Sequence, residues 1–520
     1  MIKQNHFDKV LIIDFGSQTT QLIARKIREI GVYCEIISCF KTDEIKNDKN
    51  LKGIVLSGGP LSVTKKKFIS IPKKVFFFNK PILGICYGHQ VIARTYGGLV
   101  KNKNKSEFGK NILYKHKSSE LTKNFFLKNN TTQVWMSHTD VVDKLPKNFK
   151  TIASTKEFKN AAIENKLLKI FGVQFHPEVF HTLKGKVLIK NFVLNICKCR
   201  RNWTIKNQIN FLIKNIKQQV KNNKVLCALS GGVDSSVLAM LLKRALGNKL
   251  ICIFINNGFL RKNESNEVLK NFKINNKMNL KYINATKIFL NAIRNVTDPE
   301  KKRKIIGKTF IKIFEKESKK FKNIKYLAQG TLYPDVIESK SFHGGPSSVI
   351  KSHHNVGGLP KKMKFKLVEP FEELFKDEVR NIGKSLNVSN NILQRHPFPG
   401  PGLAIRILGK VNKEKIRILQ EADDIYISEL KKRSLYNKIW QAFVVLTPIK
   451  TVGVMGDFKT YDFLCSLRAV TSTDGMTADV FNFSNKDLTE ISSKIINSVK
   501  GVNRVVYDVT SKPPSTIEWE

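Results

Sequence analysis

The sequence predicts an α/β protein built from two doubly wound, mostly parallel-sheet domains followed by a smaller α+β segment. Three observations carry this. Short apolar runs alternate with amphipathic helical patterns over the first two hundred residues, the rhythm of a wound sheet. The same βαβ rhythm restarts near Trp203. After a stretch at 397–402 with three prolines and two glycines, long helical patterns mix with separate strands to the end of the chain.

In the first segment, residues 10–14 read as a strand. Residues 18–30 have the period of an amphipathic helix and stop at Gly31. Residues 32–38, 53–57 and 81–85 read as further buried strands. The second half reads as hairpin-like, with strands at 151–154, 160–164 and 170–174 and a closing helix over 184–197. In the second segment a helix at 204–220 precedes a strand at 224–229, a glycine turn, a helix at 234–246 and a strand at 250–255. In the third, residues 443–446 and 504–509 read as strands. The expected domains are residues 1–202, 203–395 and 396–520, which suits a chain of 520 residues.

Composition excludes several classes. Hydrophobic residues make up 41% of the chain, enough for several packed cores. No apolar run approaches the length of a membrane helix, and the polar start does not read as a signal peptide. The expectation is a cytoplasmic protein without a membrane partner. Cys34, Cys39, Cys227 and Cys252 sit in apolar runs and read as small core residues. Cys197 and Cys199 form a CxC without a partner pair, which argues against a zinc site.

The charge is extreme: 91 Lys and Arg against 42 Asp and Glu give +49. A nucleic-acid face is one reading. The lysines, however, are scattered along the chain, as in Lys101-Asn102-Lys103-Asn104-Lys105. Phe outnumbers Trp 34 to 4, the bias of A- and T-rich codons. A solvated, lysine-inflated surface without a specific nucleic-acid partner is therefore expected.

The first chemical signal is Gly84-Ile85-Cys86-Tyr87-Gly88 between a strand and a helix. A nucleophile on such a sharp turn has its side chain forced outward, and the helix N-terminus favours thiolate. Ser57-Gly58-Gly59-Pro60 follows another strand and offers backbone N–H groups as an oxyanion hole. His176-Pro177-Glu178 ends a third, where His176 can act as general base and Glu178 can orient it.

Together with Asp14-Phe15-Gly16-Ser17-Gln18, these strings resemble class I glutamine amidotransferases. The resemblance implies that Cys86 forms a glutamyl thioester, that His176 shuttles protons, and that Glu178 holds the imidazole. It places the oxyanion hole at the backbone of Gly59 and Tyr87, with ammonia as leaving group.

The second signal is Ser230-Gly231-Gly232-Val233-Asp234-Ser235-Ser236 after an apolar strand. Glycines allow close approach to phosphate oxygens, and the helix N-terminus supplies N–H groups. The Gly-Lys-Ser/Thr of a Walker loop is absent. The string resembles the loop of N-type ATP pyrophosphatases, which implies ATP binding. Asp234 has two readings, a contact to Mg²⁺ or a helix cap. Asn256-Asn257-Gly258 ends the next strand; the family usually carries Asp at position 256, which puts that contact in doubt. Gln329-Gly330-Thr331, the 333–339 segment and the glycine-rich 351–358 segment with His353 and His354 are expected to line the same pocket.

The third segment narrows the reading. The Arg395-His396-Pro397-Phe398 string and those around Gly453, Arg468 and Lys512-Pro513-Pro514 resemble the glutamine-hydrolysing GMP synthetase family almost end to end. That resemblance implies glutamine, ATP and xanthosine monophosphate (XMP) as substrates, Mg²⁺ with the ATP, and a carboxy-terminal segment that makes a homodimer and contributes to the XMP site. Lys512, Ile517 and Glu518 are candidates for XMP, with Gln441 and Arg303 beside them. A phosphate wants Lys or Arg, and a purine edge wants a carboxylate or amide. The rival readings are another ligase of the same build, such as glutamine-dependent NAD synthetase, a tRNA-binding or tRNA-modifying pyrophosphatase-loop protein, and a non-catalytic scaffold.

Overall fold

The computed structural model describes residues 7–64, 68–70, 73–321, 324–333, 335–336, 365–472 and 477–520. The chain divides into two compact units, residues 1–208 and 209–520.

The first unit is a nine-stranded sheet. Its strands are β1 (Lys9–Asp14), β2 (Tyr33–Ser38), β3 (Leu51–Leu56), β4 (Ile82–Ile85), β5 (Leu99–Lys115), β6 (Thr131–Lys144), β7 (Lys150–Ser154), β8 (Ala162–Asn165) and β9 (Ile170–Val173). They lie in the order β2-β1-β3-β4-β9-β8-β7-β5-β6. The β2-to-β9 side is parallel, and its strands read as continuous apolar runs because both faces are covered. The remaining pairs are antiparallel. The long β5–β6 ribbon was not foreseen. Its two faces alternate in burial, but the outer face of β5 carries the exposed Phe108, Ile112 and Tyr114 while the inner face carries the buried Glu107, so apolar and polar residues do not mark the faces. The helix expected over 184–197 forms as Gly185–Lys190 and continues as a π-helical turn, Asn191–Ile196.

The second unit holds two sheets. The first contains β10 (Lys224–Ala228), β11 (Leu250–Asn256), β12 (Leu280–Asn284), β13 (Ile324–Ala328) and β14 (Lys366–Val368). All are parallel, in the order β12-β11-β10-β13-β14. Strand order reverses at β10, so the crevice between the carboxyl ends of β10 and β13 is where a ligand is expected. The second sheet pairs β15 (Gln441–Met455) with β16 (Phe458–Thr471), which also takes β17 (Asp479–Val480) and β18 (Val502–Tyr507).

The expected boundary at 395/396 falls inside this unit, and one hydrophobic core runs beneath both sheets. Leu226, Ile253 and Leu327 of the parallel sheet, with Phe259 just beyond β11, share it with Leu403, Leu419, Tyr426, Val444, Leu467 and Ile491. Strand β15 alternates across two cores. Ala442, Val444 and Leu446 enter this one, whereas Phe443 and Val445 enter a smaller one with Val470, Ala478 and Ile517.

Candidate functional sites

Sheet order brings the pieces of the thiol site together. Leu56 of β3 is in register with Gly84 of β4, and Ile85 with Val173 of β9. The segments leaving these three neighbouring strands carry Gly59, Cys86 and His176. Cys86 caps the helix Tyr87–Thr95 with φ 51° and ψ −104°, a strained turn for a non-glycine residue. A Cβ on Gly84 would lie 2.5 Å from the carbonyl carbon of Gly88, and one on Gly88 2.4 Å from the Leu56 oxygen. Only glycine lets the elbow sit this low on the sheet.

Cys86 lies close enough to His176 to act on its charge, and Nδ1 of His176 lies 2.7 Å from Oε1 of Glu178. Burial opposes protonation of His176, but the Glu178 carboxylate and Cys86 outweigh it and hold the imidazole well above its ordinary range. The pair therefore favours imidazolium beside sulfur. Gln174 Nε2 approaches Sγ at 3.7 Å, and the Ser137 carbonyl lies 3.6 Å from it.

The Gly88 N–H bonds the Ser57 carbonyl at 3.0 Å, while no described loop or turn bond uses the N–H of Gly59 or Tyr87. A Cβ on Gly59 would meet the Phe15 carbonyl oxygen at 2.8 Å. That explains a glycine at this loop position.

Sequence reasoning missed several partners of this site. Thr19 donates to Glu178 Oε1 at 2.7 Å. Asp140 accepts from Ser62 and, at 2.9 Å, from Asn102, tying β6 to the loop that follows Gly59. His89 lies fully buried beside Gly172; burial first, then the nearby His138 ring, push it down to about 3.

The glycine loop lies between β10 and the helix Val233–Leu246, with Gly231 at φ 80°. Ser230 Oγ and Ser235 Oγ are 2.8 Å apart, and the Gly232 N–H points to Ser230 Oγ at 3.3 Å. N–H and hydroxyl donors thus gather at a helix N-terminus, the chemistry of a phosphate site. Val233 and Ser236 are buried, so their side chains serve packing. The helix is capped by Gly232, so the capping reading of Asp234 does not hold. Asp234 Oδ1 is buried without a hydrogen-bond partner among the described residues, and Lys376 lies 3.7 Å from Oδ2. Gly330, after β13, sits against Asp234, as expected for the crevice. Asn256 turns its amide to Tyr282 (3.1 Å) and to the Gly258 N–H (2.9 Å), so it shapes its own turn. Pro334, residues 337–339 and the 351–358 segment with His353 and His354 lie outside the described residues.

Comparison with known proteins decides the family. A model described as glutamine amidotransferase class-I matches residues 11–196. One described as NAD synthase matches 204–308, the segment holding the glycine loop, and one described as GMP synthase C terminal domain matches 428–519. A glutamine-hydrolysing GMP synthase of Brachyspira hyodysenteriae is 53% identical over 99% of this chain and 100% of its own. The chain belongs to the glutamine-hydrolysing GMP synthase family. Relatives of that name from Bartonella henselae and Rhizobium etli are 51% and 49% identical, over 99% and 100% of both chains.

For a GMP synthase, the acceptor candidates are the next concern. The fold gathers several. Glu518 binds Arg406 through both oxygens, at 2.7 and 3.0 Å, and accepts from Gln441 Nε2 at 2.7 Å. Arg406 is fully buried, so this carboxylate is the partner that makes its burial tolerable. Ile517 fills the smaller core. Arg303 reaches the main-chain oxygen of Glu520, and its neighbour Lys302 bonds the Glu520 carboxylate at 2.5 Å. Lys512 is placed by paired backbone bonds with Ala478. Arg468 organises the whole tail. Buried, it donates to the carbonyls of Asp508, Thr510 and Thr516 and to Ser515 Oγ. Neither Arg406 nor Arg468 was singled out from sequence for a role, because nothing local marks a buried arginine.

Proposed function

We propose that this chain makes GMP from XMP, ATP and glutamine, with residues 1–202 releasing ammonia, 203–395 handling ATP, and 396–520 holding XMP and a second copy. The observation that carries the reading is the Cys86–His176–Glu178 relay on the same polypeptide as the glycine loop at the β10/β13 crevice. Cys86 Sγ attacks the glutamine amide. His176 gives its proton to the departing ammonia and then takes one from the water that releases glutamate. Glu178 keeps Nδ1 protonated and the ring aligned, and the N–H groups of Gly59 and Tyr87 receive the oxyanion.

At the second site the N–H and hydroxyl donors of residues 230–236 hold the ATP phosphates. The XMP 2-oxygen attacks the α-phosphorus and pyrophosphate leaves. Ammonia then attacks C2 and AMP departs. The Gln441–Glu518 pair would meet the purine, and Lys512 or Arg303 its phosphate.

Asp234 suits Mg²⁺: its buried Oδ1, unpartnered among the described residues, is a hard donor, and this ion commonly uses one or two carboxylates with substrate phosphates completing its shell. When bound, Mg²⁺ supplies neutralisation of phosphate charge. Dimerisation is supported by the β15–β16 hairpin, which leaves Val452, Val454, Phe458 and Tyr461 exposed. A cytoplasmic setting is supported by eight buried cysteines that are thiols rather than disulfides. No helix among the described residues is long and apolar enough to cross a membrane.

The test is GMP formation from XMP, ATP and Mg²⁺ with glutamine or with ammonium, on wild type and Cys86→Ala. Wild type should use both nitrogen sources and the variant only ammonium. Amidation of deamido-NAD with none of XMP would replace this reading by NAD synthesis, the activity printed for the model matching residues 204–308.

A further inference from the structure

One arginine outside the glycine loop is bonded to the loop's backbone. Arg395 Nη1 donates to the Gly231 carbonyl at 3.1 Å. The same nitrogen lies 2.6 Å from Glu264 Oε1, and Nη2 is 3.4 Å from Glu267. Glu264 is itself buried and accepts the Arg261 N–H at 2.9 Å, so the anchor is rigid.

A trans peptide points its C=O and its N–H in opposite directions. Pinning the Gly231 carbonyl to Arg395 therefore turns the Gly232 N–H to the other side, where Ser230 Oγ and Ser235 Oγ lie. A flipped peptide would put a carbonyl oxygen against phosphate instead. Gly231, at φ 80° with a would-be Cβ 2.8 Å from Val268, is free of the side-chain restraint that would otherwise resist flipping. With two carboxylates already neutralising it, Arg395 is poorly suited to bind phosphate directly. It also leads into His396, whose Nδ1 accepts the Ala442 N–H at 3.1 Å, and Pro397, whose carbonyl accepts from Gln441 at 3.2 Å.

We propose that Arg395 is a positioning residue for the nucleotide triphosphate, locking the Gly231–Gly232 peptide with its N–H towards the phosphates. This rests on the reading of residues 230–236 as the ATP loop.

The test uses the full chain and a non-hydrolysable ATP analogue, with ammonium-dependent kinetics alongside. Arg395→Gln should weaken analogue binding and raise KM for ATP about tenfold, with kcat at saturating ATP within about twofold. KM for glutamine should not move. Arg395→Lys, which keeps a donor and a cation for Glu264, should recover most of the affinity. Because Arg395→Gln leaves Glu264 buried without its cation, Arg395→Gln/Glu264→Gln separates folding from orientation: it should melt like wild type yet show the same ATP defect. Wild-type analogue affinity in that double variant overturns the proposal. Failure of wild type itself to bind the analogue overturns the ATP reading beneath it.

Discussion

Thr19 and His176 grip the same oxygen of Glu178: Thr19 Oγ1 and His176 Nδ1 each lie 2.7 Å from Oε1. Ser17 Oγ, 2.9 Å from Thr19 Oγ1, extends the chain. Two donors on one oxygen fix the carboxylate's rotation and with it the imidazole plane. Thr19→Val should lower glutaminase kcat roughly 3- to 30-fold and leave KM for glutamine unchanged, with Thr19→Ser restoring it. Steady-state glutaminase assays check this, and ammonium-dependent synthesis should be untouched.

Glu178→Gln removes the charge that keeps His176 protonated against its burial. The imidazole pKa should fall, so the alkaline limb of glutaminase kcat/KM moves to lower pH. At pH 7.5 the rate should drop about 10²- to 10⁴-fold. In the wild type the raised His176 pKa stabilises the fold fully below about pH 6.5 and fades as pH rises through its folded value. A pH–rate profile decides the first point, and denaturation of wild type and variant at several pH values decides the second.

His89 has the opposite sign. Its pKa is pushed down to about 3, so the fold holds it neutral while the unfolded chain protonates it. Its contribution is present above about pH 6.5 and declines by about 1.4 kcal/mol per pH unit as pH falls towards 3. His89→Leu should therefore flatten the loss of melting temperature between pH 6.5 and 4.5. An unchanged slope would show that other groups drive the acid sensitivity.

The parallel half of the first unit and the loop after β10 were legible because they are local: apolar runs ending in glycine turns announce strand, elbow and helix together. The antiparallel ribbon β5–β6 was not, since β5 turns Phe108, Ile112 and Tyr114 to the exposed side and Glu107 inward, the reverse of the apolar-in pattern by which a strand is read. Cys86, His176 and Glu178 were readable from short strings. Thr19 was not: it stands 159 positions from Glu178, and a threonine ahead of a helix has many ordinary uses. Glu518 was picked as an acceptor contact, but its tie to Arg406 across 112 positions exists only in the folded chain.

Asp234→Asn should raise the Mg²⁺ concentration needed for half-maximal ammonium-dependent synthesis about tenfold, since an amide is a weaker hard-cation ligand. Glutaminase activity serves as the internal control. An unchanged Mg²⁺ titration would return Asp234 to its ion pair with Lys376.

Arg468→Lys replaces a planar fork serving four acceptors with a single ammonium. The 508–516 segment should loosen, raising KM for XMP about tenfold or more while KM for ATP changes little. A parallel rise in both would place Arg468 in general stability instead.

The core shared by Leu226, Leu419 and Leu467 limits how this polypeptide can be taken apart. A protease nick or a gene split near residue 396 would bare apolar surface on both pieces, and neither would keep its shape alone. Any lineage that redistributes these activities among separate subunits must therefore carry residues 209–520 across as one inheritance.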